Sequence, residues 1–363
     1  MTNNQTEDKI GNIFNLIYIK INKEKILERG RIKMKREVVK KIVKASGIQP
    51  GELVLLHFWG ESDTEEILEV FAEAVLEAGA SPLELRESRI RNQKKFAIAT
   101  KDSFNAKYFS VFSQVDTVLD IFTYQPVVLG GVLEEHQMNH YRNYMGQLIR
   151  TLGTAPRFLQ IRIPTVDHAM ESGLNLEEYV KRMEEAYDID YDQLKKKCEM
   201  VKKKMEAVGG VSLMTGEGHS LQIFYEGREW YVDAGDGDLP CGEIYIAPQE
   251  DRTEGEVFFE KFYIENAGVF TNVLLSIKKG VIDHSDNVEV NAFLQGLKDC
   301  DKTVCELGFG MNENVHNLCG YTVLDEKMNG TFHIAIGDNT MFGGKNHSNL
   351  HMDFVGKATI GML

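Results

Sequence analysis

The chain has 363 residues, 43% of them apolar and 26% charged, with a net charge of −14. That length exceeds one small core and sets an expectation of two folded domains. The acidic balance argues against nucleic acid or an anionic membrane as a partner, and no apolar run is long enough to span a bilayer.

Residues 1–33 read as a non-native or disordered leader. LERGR at 27–31 can be encoded by a ribosome-binding-like stretch, and MKRE at 34–37 reads like a bacterial protein start, so Met34 is the expected first residue. Val38, Val39, Ile42 and Val43 then recur at helical spacing. GIQPG at 47–51 is a turn. LVLLHF at 53–58 is a continuous apolar run, as expected of a strand buried on both faces. Ser62 and Glu65 have the spacing of a capping box, and the helix after them carries Ile67, Leu68, Phe71, Val75 and Leu76 and ends at Gly79. A second strand opens at 81–85. Strand, helix, strand with short links predicts a βαβ unit in a parallel sheet. Further strands are expected at 116–122 and 158–163, with a helix at 134–152. No GxGxxG or GxxxxGK[ST] occurs, so phosphate or dinucleotide binding is not expected. His57 reads as a satisfied core histidine.

Helices are predicted at 175–187 and 191–208. Asp188, Asp190 and Asp192 lack the glycine and glutamate of a calcium loop and read as a solvated turn and helix start. The lysines of 195–204 read as a solvated helix face. Gly209-Gly210 sets the expected boundary between an α/β domain over 34–209, with a mostly parallel sheet, and an α+β, antiparallel β-rich, metal-binding domain over 210–363. In the second domain, strands are expected at 212–215, 220–225, 229–233, 243–248 and 255–264. A helix at 288–297 interrupts them, and strands resume near Thr303. Five cysteines (198, 241, 300, 305 and 319) form no CxxC pair, which fits reduced thiols in the cytoplasm.

The last sixty residues concentrate carboxylates and imidazoles between glycines and short strands. Glu243 begins a strand after a Pro/Gly turn. Glu306 precedes Leu-Gly-Phe-Gly, where glycine lets backbone crowd the carboxylate's neighbour. His333 is one imidazole in an apolar strand. His351 and Asp353 are two apart, so on a strand they share a face. Together the five offer an oxygen and nitrogen shell for one or two divalent ions. His316 and His347 read as residues near the site, and Glu326 as an acid behind the ligands or a salt-bridge member. No GxSxG elbow is present.

These residues resemble the aminopeptidase T family, the M29 metallopeptidases. The resemblance runs from about Met34 to the C-terminus: LPCGE at 239–243 with Ala247-Pro248, ELGFGMN at 306–312, DEKMNGTFHIA at 325–335 and HMD at 351–353. It implies a two-domain cytoplasmic homodimer that releases N-terminal residues from peptides. Two divalent ions (zinc, cobalt or manganese) would be held by Glu243, Glu306, His333, His351 and Asp353. Glu306 or a nearby carboxylate would also carry the proton. Thr340 stands where the family has a tyrosine seven residues after the strand histidine, and Gly218-His219-Ser220-Leu221 replaces Gly-Thr-Asp-Leu. A threonine hydroxyl is a poorer oxyanion donor. The departures leave two alternatives: an Fe(II) ring-cleaving dioxygenase on the same scaffold, or a non-catalytic metal- or peptide-binding relative.

Overall fold

A computed structural model describes residues 34–126, 133–264 and 267–363; the leader expected over 1–33 lies outside them. Short apolar strands separated by amphipathic helices build the first sheet. Strands β1 (Leu53–Trp59), β2 (Ser81–Glu87), β3 (Thr117–Phe122) and β4 (Arg157–Arg162) pair in parallel in the order β2-β1-β3-β4. β1 and β3 are buried almost throughout, as central parallel strands covered on both faces must be. The helix Glu135–Leu152 covers one face, where Tyr144 and Leu148 pack with Leu55, Val118, Phe96 and Phe112. Each such buried side chain stabilises the fold by roughly 1.5–3 kcal/mol. The capping box expected at Ser62 and Glu65 does not form. The helix Glu65–Glu77 starts at Thr64 without a side-chain cap, and Glu65 instead holds Arg86 and Arg91.

The antiparallel part comprises β5 (Gly210–Thr215), β6 (His219–Phe224), β7 (Trp230–Asp233), β8 (Asp238–Leu239), β9 (Glu243–Ile246), β10 (Thr253–Ile264), β11 (Gly268–Lys278), β12 (Val281–Ser285), β13 (Val304–Gly310), β14 (Phe332–Gly337), β15 (His351–Gly356) and β16 (Thr359–Met362). The second sheet has the order β12-β11-β10-β6-β5-β16 and the third β15-β14-β13-β9-β7. β8 departs from this pattern and pairs in parallel with β4, so the chain beyond Gly210 adds a fifth strand to the first sheet. Because β9 follows β8 after three residues, the β8–β9 link joins the first sheet to the third. Asn312 holds that link in place: its buried amide donates to Cys241 O (2.9 Å) and to Ala186 O (3.0 Å) at the end of the helix Leu176–Tyr187. Residues Arg36–Leu363 pack as one compact unit. Among the described residues no helix is long and apolar enough to cross a membrane, and all five cysteines are free.

The second and third sheets meet through aromatic rings. Phe259 and Phe262 of β10 contact Phe332 of β14 and Phe354 of β15, and the Phe262 and Phe354 rings stack with centroids 4.3 Å apart. All four side chains are buried. Replacing Phe354 with Ala should cost about 3–5 kcal/mol, through lost transfer energy and an unfilled cavity. Urea unfolding would measure it, and a loss below about 1 kcal/mol would show that this layer does not hold the two sheets together.

Candidate metal centre

Strand alternation decides what the opposite face of the third sheet carries. Phe332, Ile334 and Ile336 share one face of β14, so His333 and Ala335 occupy the other. Cross-strand partners lie on a common face. His333 stands opposite Gly308, Ala335 opposite both Glu306 and Asp353, Gly337 opposite His351, and Gly310 opposite Glu243. The register therefore brings Glu243, Glu306, His333, His351 and Asp353 onto one face, across four adjacent strands. On at least one side each stands opposite glycine or alanine, which leaves room for the larger groups, while Val355 also faces His333 and Asp233 also faces Glu243. At Gly308 the need is acute: a Cβ there would sit 2.0 Å from His333 Nε2.

Glu306 is the centre of the group. Its Oε1 lies 3.2 Å from His333 Nε2 and its Oε2 lies 3.3 Å from His351 Nε2. His333 Nε2 is also 3.5 Å from Glu243 Oε2, and His351 Nε2 is 3.8 Å from Asp353 Oδ2. One donor atom from each of Glu306, His351 and Asp353 falls within 4.8 Å of the others. Donors about 2.1 Å from a tetrahedral cation stand roughly 3.4 Å apart, so this spacing fits a divalent ion. Other features also fit. Glu243 Oε2 is buried without a hydrogen-bond partner among the described residues. His351 Nδ1 lies 3.0 Å from Asp338 O, which fixes the ring and leaves Nε2 free as a ligand. A register shift in β13 between Val304 and Glu306 accompanies a further contact, Cys305 Sγ to His351 Nδ1 at 3.7 Å.

The electrostatics demand positive charge. Burial alone would raise the Glu306 carboxyl, but hydrogen bonds from His333 and His351 outweigh it and bring it down to about 2. Burial alone would lower both imidazoles. Hydrogen bonds to Glu306 and, for His351, to Cys305, with the charges of Glu243 and Asp353, instead raise His333 to about 9 and His351 to about 12. Burial beside Glu326 and Glu306 pushes Asp353 up. Positive charge at these nitrogens, whether proton or metal ion, is what the carboxylates stabilise.

Lys327 joins the group although its sequence context does not mark it. It is buried, and its Nζ lies 2.5 Å from Glu243 Oε1 and 3.0 Å from Glu326 Oε1. Burial would lower this ammonium, but Glu243, Glu326, Asp233 and Asp238 hold it well above its usual value. The adjacent Asp-Glu of the 325–327 triplet was the only local signal, because the partner Glu243 is 84 residues away in sequence. Glu326 is thus a salt-bridge member, as expected.

The group opens into a cavity of about 1100 Å³ between the third sheet and the first, lined by Glu243, Glu306, Glu326, Lys327, His351 and Asp353 at one end. Thr340 is not brought there. It is exposed, and its hydroxyl donates to Asp338 Oδ1 at 2.7 Å. His347 is exposed and pairs with Asp338, and His316 lines a separate cavity of about 270 Å³ with Arg182. His219 pairs with Glu256 on the second sheet. His57 is buried as expected, but it lines the main cavity.

The family model for thermophilic metalloprotease (M29) matches residues 37–361. The chain belongs to that family. No curated protein sequence matches it. Among solved structures, wild-type AmpT from Thermus thermophilus is similar with a TM-score of 0.63 and 16% identity, over 90% of this chain and 96% of that one. A 2,5-dihydroxypyridine dioxygenase from Pseudomonas putida KT2440 is similar with a TM-score of 0.61 and 13% identity, over 90% of this chain and 93% of that one. These likenesses establish a shared fold, with a parallel sheet and two antiparallel sheets. Membership of a metalloprotease family also accords with the donor set.

Gly308→Ala tests the centre without removing a ligand. The new methyl must displace the His333 ring, so divalent-cation uptake by the purified protein should fall at least tenfold. Far-ultraviolet circular dichroism would confirm folding. Unchanged uptake would remove His333 from the ligand set.

Proposed function

We propose that this chain is a metallo-aminopeptidase that removes N-terminal residues from peptides. The observation that carries this reading is the division of Glu306, with one oxygen toward His333 and Glu243 and the other toward His351 and Asp353. A carboxylate shared in this way suits two divalent ions (zinc, cobalt or manganese), one held by Glu243, Glu306 and His333, the other by Glu306, His351 and Asp353. When bound, such ions supply a nucleophilic water near neutral pH and polarise the scissile carbonyl.

The chain's own residues supply the rest. Nine carboxylates line the cavity against one lysine among the described residues, an environment that favours a free α-ammonium over a blocked or mid-chain amide. Glu326 carries the proton to the leaving amine. It lines the cavity, and burial raises its pKa above the usual glutamate range despite the Lys327 charge. Tyr245 supplies the hydroxyl that Thr340 does not. It stands opposite Gly308 on the ligand face and lines the cavity, and burial together with the charges of Glu243 and Asp233 keeps its phenol protonated.

A second reading, a single Fe(II) centre for ring cleavage, draws on two observations: among the described residues only Glu306, His351 and Asp353 converge within 4.8 Å, and Glu243 is engaged by Lys327. Elemental analysis of untagged protein, followed by assay on aminoacyl-chromogenic substrates with Zn²⁺, Co²⁺ or Mn²⁺, separates the readings. Two ions per chain with turnover is the expected result. One iron without peptidase turnover favours the oxygenase, and two ions without turnover leaves a binding role. In the active enzyme, Glu326→Gln and Tyr245→Phe should each lower kcat by about tenfold or more, with KM within a few-fold. An unchanged kcat in either variant would remove that residue from the mechanism.

A further inference from the structure

The first sheet builds another part of the cavity, from residues outside the five candidate ligands, of which Asp238 also acts on the Lys327 charge. His57 of β1 stands opposite Asp120 of β3, Asp120 opposite Gln160 of β4, and Gln160 opposite Asp238 of β8. The register sets the four side chains in one row across the strands, and all four line the cavity. Their apolar sequence neighbours Leu56, Leu119 and Leu159 do not line it. His57 and Asp120 are buried, and Gln160 and Asp238 are exposed. His57 Nδ1 lies 2.9 Å from Asp120 Oδ1, and Gln160 Nε2 donates to Asp120 Oδ2 at 3.4 Å.

One atom in this row points to a ligand. The His57 side chain is 3% exposed, yet its Nε2 has no hydrogen-bond partner among the described residues. A buried polar atom of this kind is costly unless a partner arrives. Nδ1, although 2.9 Å from Asp120 Oδ1, has no hydrogen-bond partner either, so in the neutral ring one of the two nitrogens is an unfilled acceptor. The row then presents acceptors in sequence: a ring nitrogen of His57, the Asp120 carboxylate, the Gln160 carbonyl and the Asp238 carboxylate. Adjacent strands lie about 4.8 Å apart, so a flat, many-donor cation can engage two of them at once. Trp59, Met145, Leu152 and Phe158 line the same cavity and offer apolar surface to a methylene stem.

We propose that this row is a specificity subsite that takes a basic side chain, arginine above all, of the peptide whose terminal amide lies at the metal centre. The substrate assignment rests on the aminopeptidase reading; the subsite geometry stands on different residues. Asp238 and Glu243 are five residues apart on one link, which spans at most about 18 Å even when fully extended. Both side chains line the one cavity.

The test is calorimetric titration of the full-length protein, metal-free and metal-loaded, with argininamide and with leucinamide. Argininamide should bind at least tenfold more tightly in both states. Asp238→Asn, with its fold checked by far-ultraviolet circular dichroism, should remove at least tenfold of that difference, and Gln160→Leu should reduce it as well. In turnover, Asp238→Asn should lower the ratio of kcat/KM for arginyl over leucyl substrates at least tenfold. Equal binding of the two amides, or no effect of Asp238→Asn on the difference, would overturn the subsite. Argininamide binding as expected in a protein that hydrolyses no aminoacyl substrate would keep the subsite and overturn the aminopeptidase reading. Hydrolysis with no arginine preference would do the reverse.

Discussion

Two-residue alternation in β14 and β15 holds the structure and its centre in one register. Phe332 and Phe354 belong to the aromatic layer against the second sheet; His333 and Asp353, one residue away, belong to the group of candidate ligands on the opposite face. A slip of one residue would expose the rings and bury the carboxylates against phenylalanine. Packing energy therefore fixes the positions of the candidate ligands: the force that seats Phe354 also sets the height of Asp353 above the sheet. The small residues opposite the ligands follow from the same geometry. Gly308 faces His333 because the imidazole ring lies across it, in the space a Cβ would fill.

Burying so many carboxylates in one cleft would be costly if nothing positive came with them. Lys327 meets part of that need at Glu243 and Glu326, and the two imidazoles meet part of it at Glu306. The same carboxylates raise both imidazoles above the ordinary histidine range and so favour their protonated forms. Metal ions would replace those protons rather than add to them, which gives the centre a charge it can accept without rebuilding its surroundings.

Much of this was legible in the sequence. Continuous apolar runs marked β1 and β3, and carboxylates and imidazoles set among glycines marked the five residues that the third sheet gathers. The pairings between distant segments were not. Lys327 reads as one more charge in a polar triplet until the fold brings Glu243 to it. β8 has only two residues, too few for any periodicity, yet it carries Asp238 to the first sheet. His57 sits in an apolar run, and only the register with Asp120, Gln160 and Asp238 shows that it belongs to a polar row along the cavity. Thr340 was placed by counting from His333. The intervening turn is captured by Asp338, which takes both the Thr340 hydroxyl and its backbone N–H. Counting along a chain locates a side chain only while the strand continues, and β14 ends at Gly337.

The fold alone does not choose the reaction, since a protein named for AmpT and one named for a dioxygenase both share it. The choice lies in the Glu243 end of the centre. Glu306, His351 and Asp353 form a compact three-donor set that any divalent ion of suitable size can use. Glu243 and His333 extend that set past the second oxygen of Glu306. Lys327 holds Glu243 by one oxygen, while the other has no hydrogen bond among the described residues and lies 3.5 Å from His333 Nε2. An enzyme that needed only one ion would gain little from a buried carboxylate oxygen left without a hydrogen bond beside it, because such a group is destabilising unless something arrives to bind it. That oxygen of Glu243 is therefore the feature that weighs toward two ions and hydrolysis.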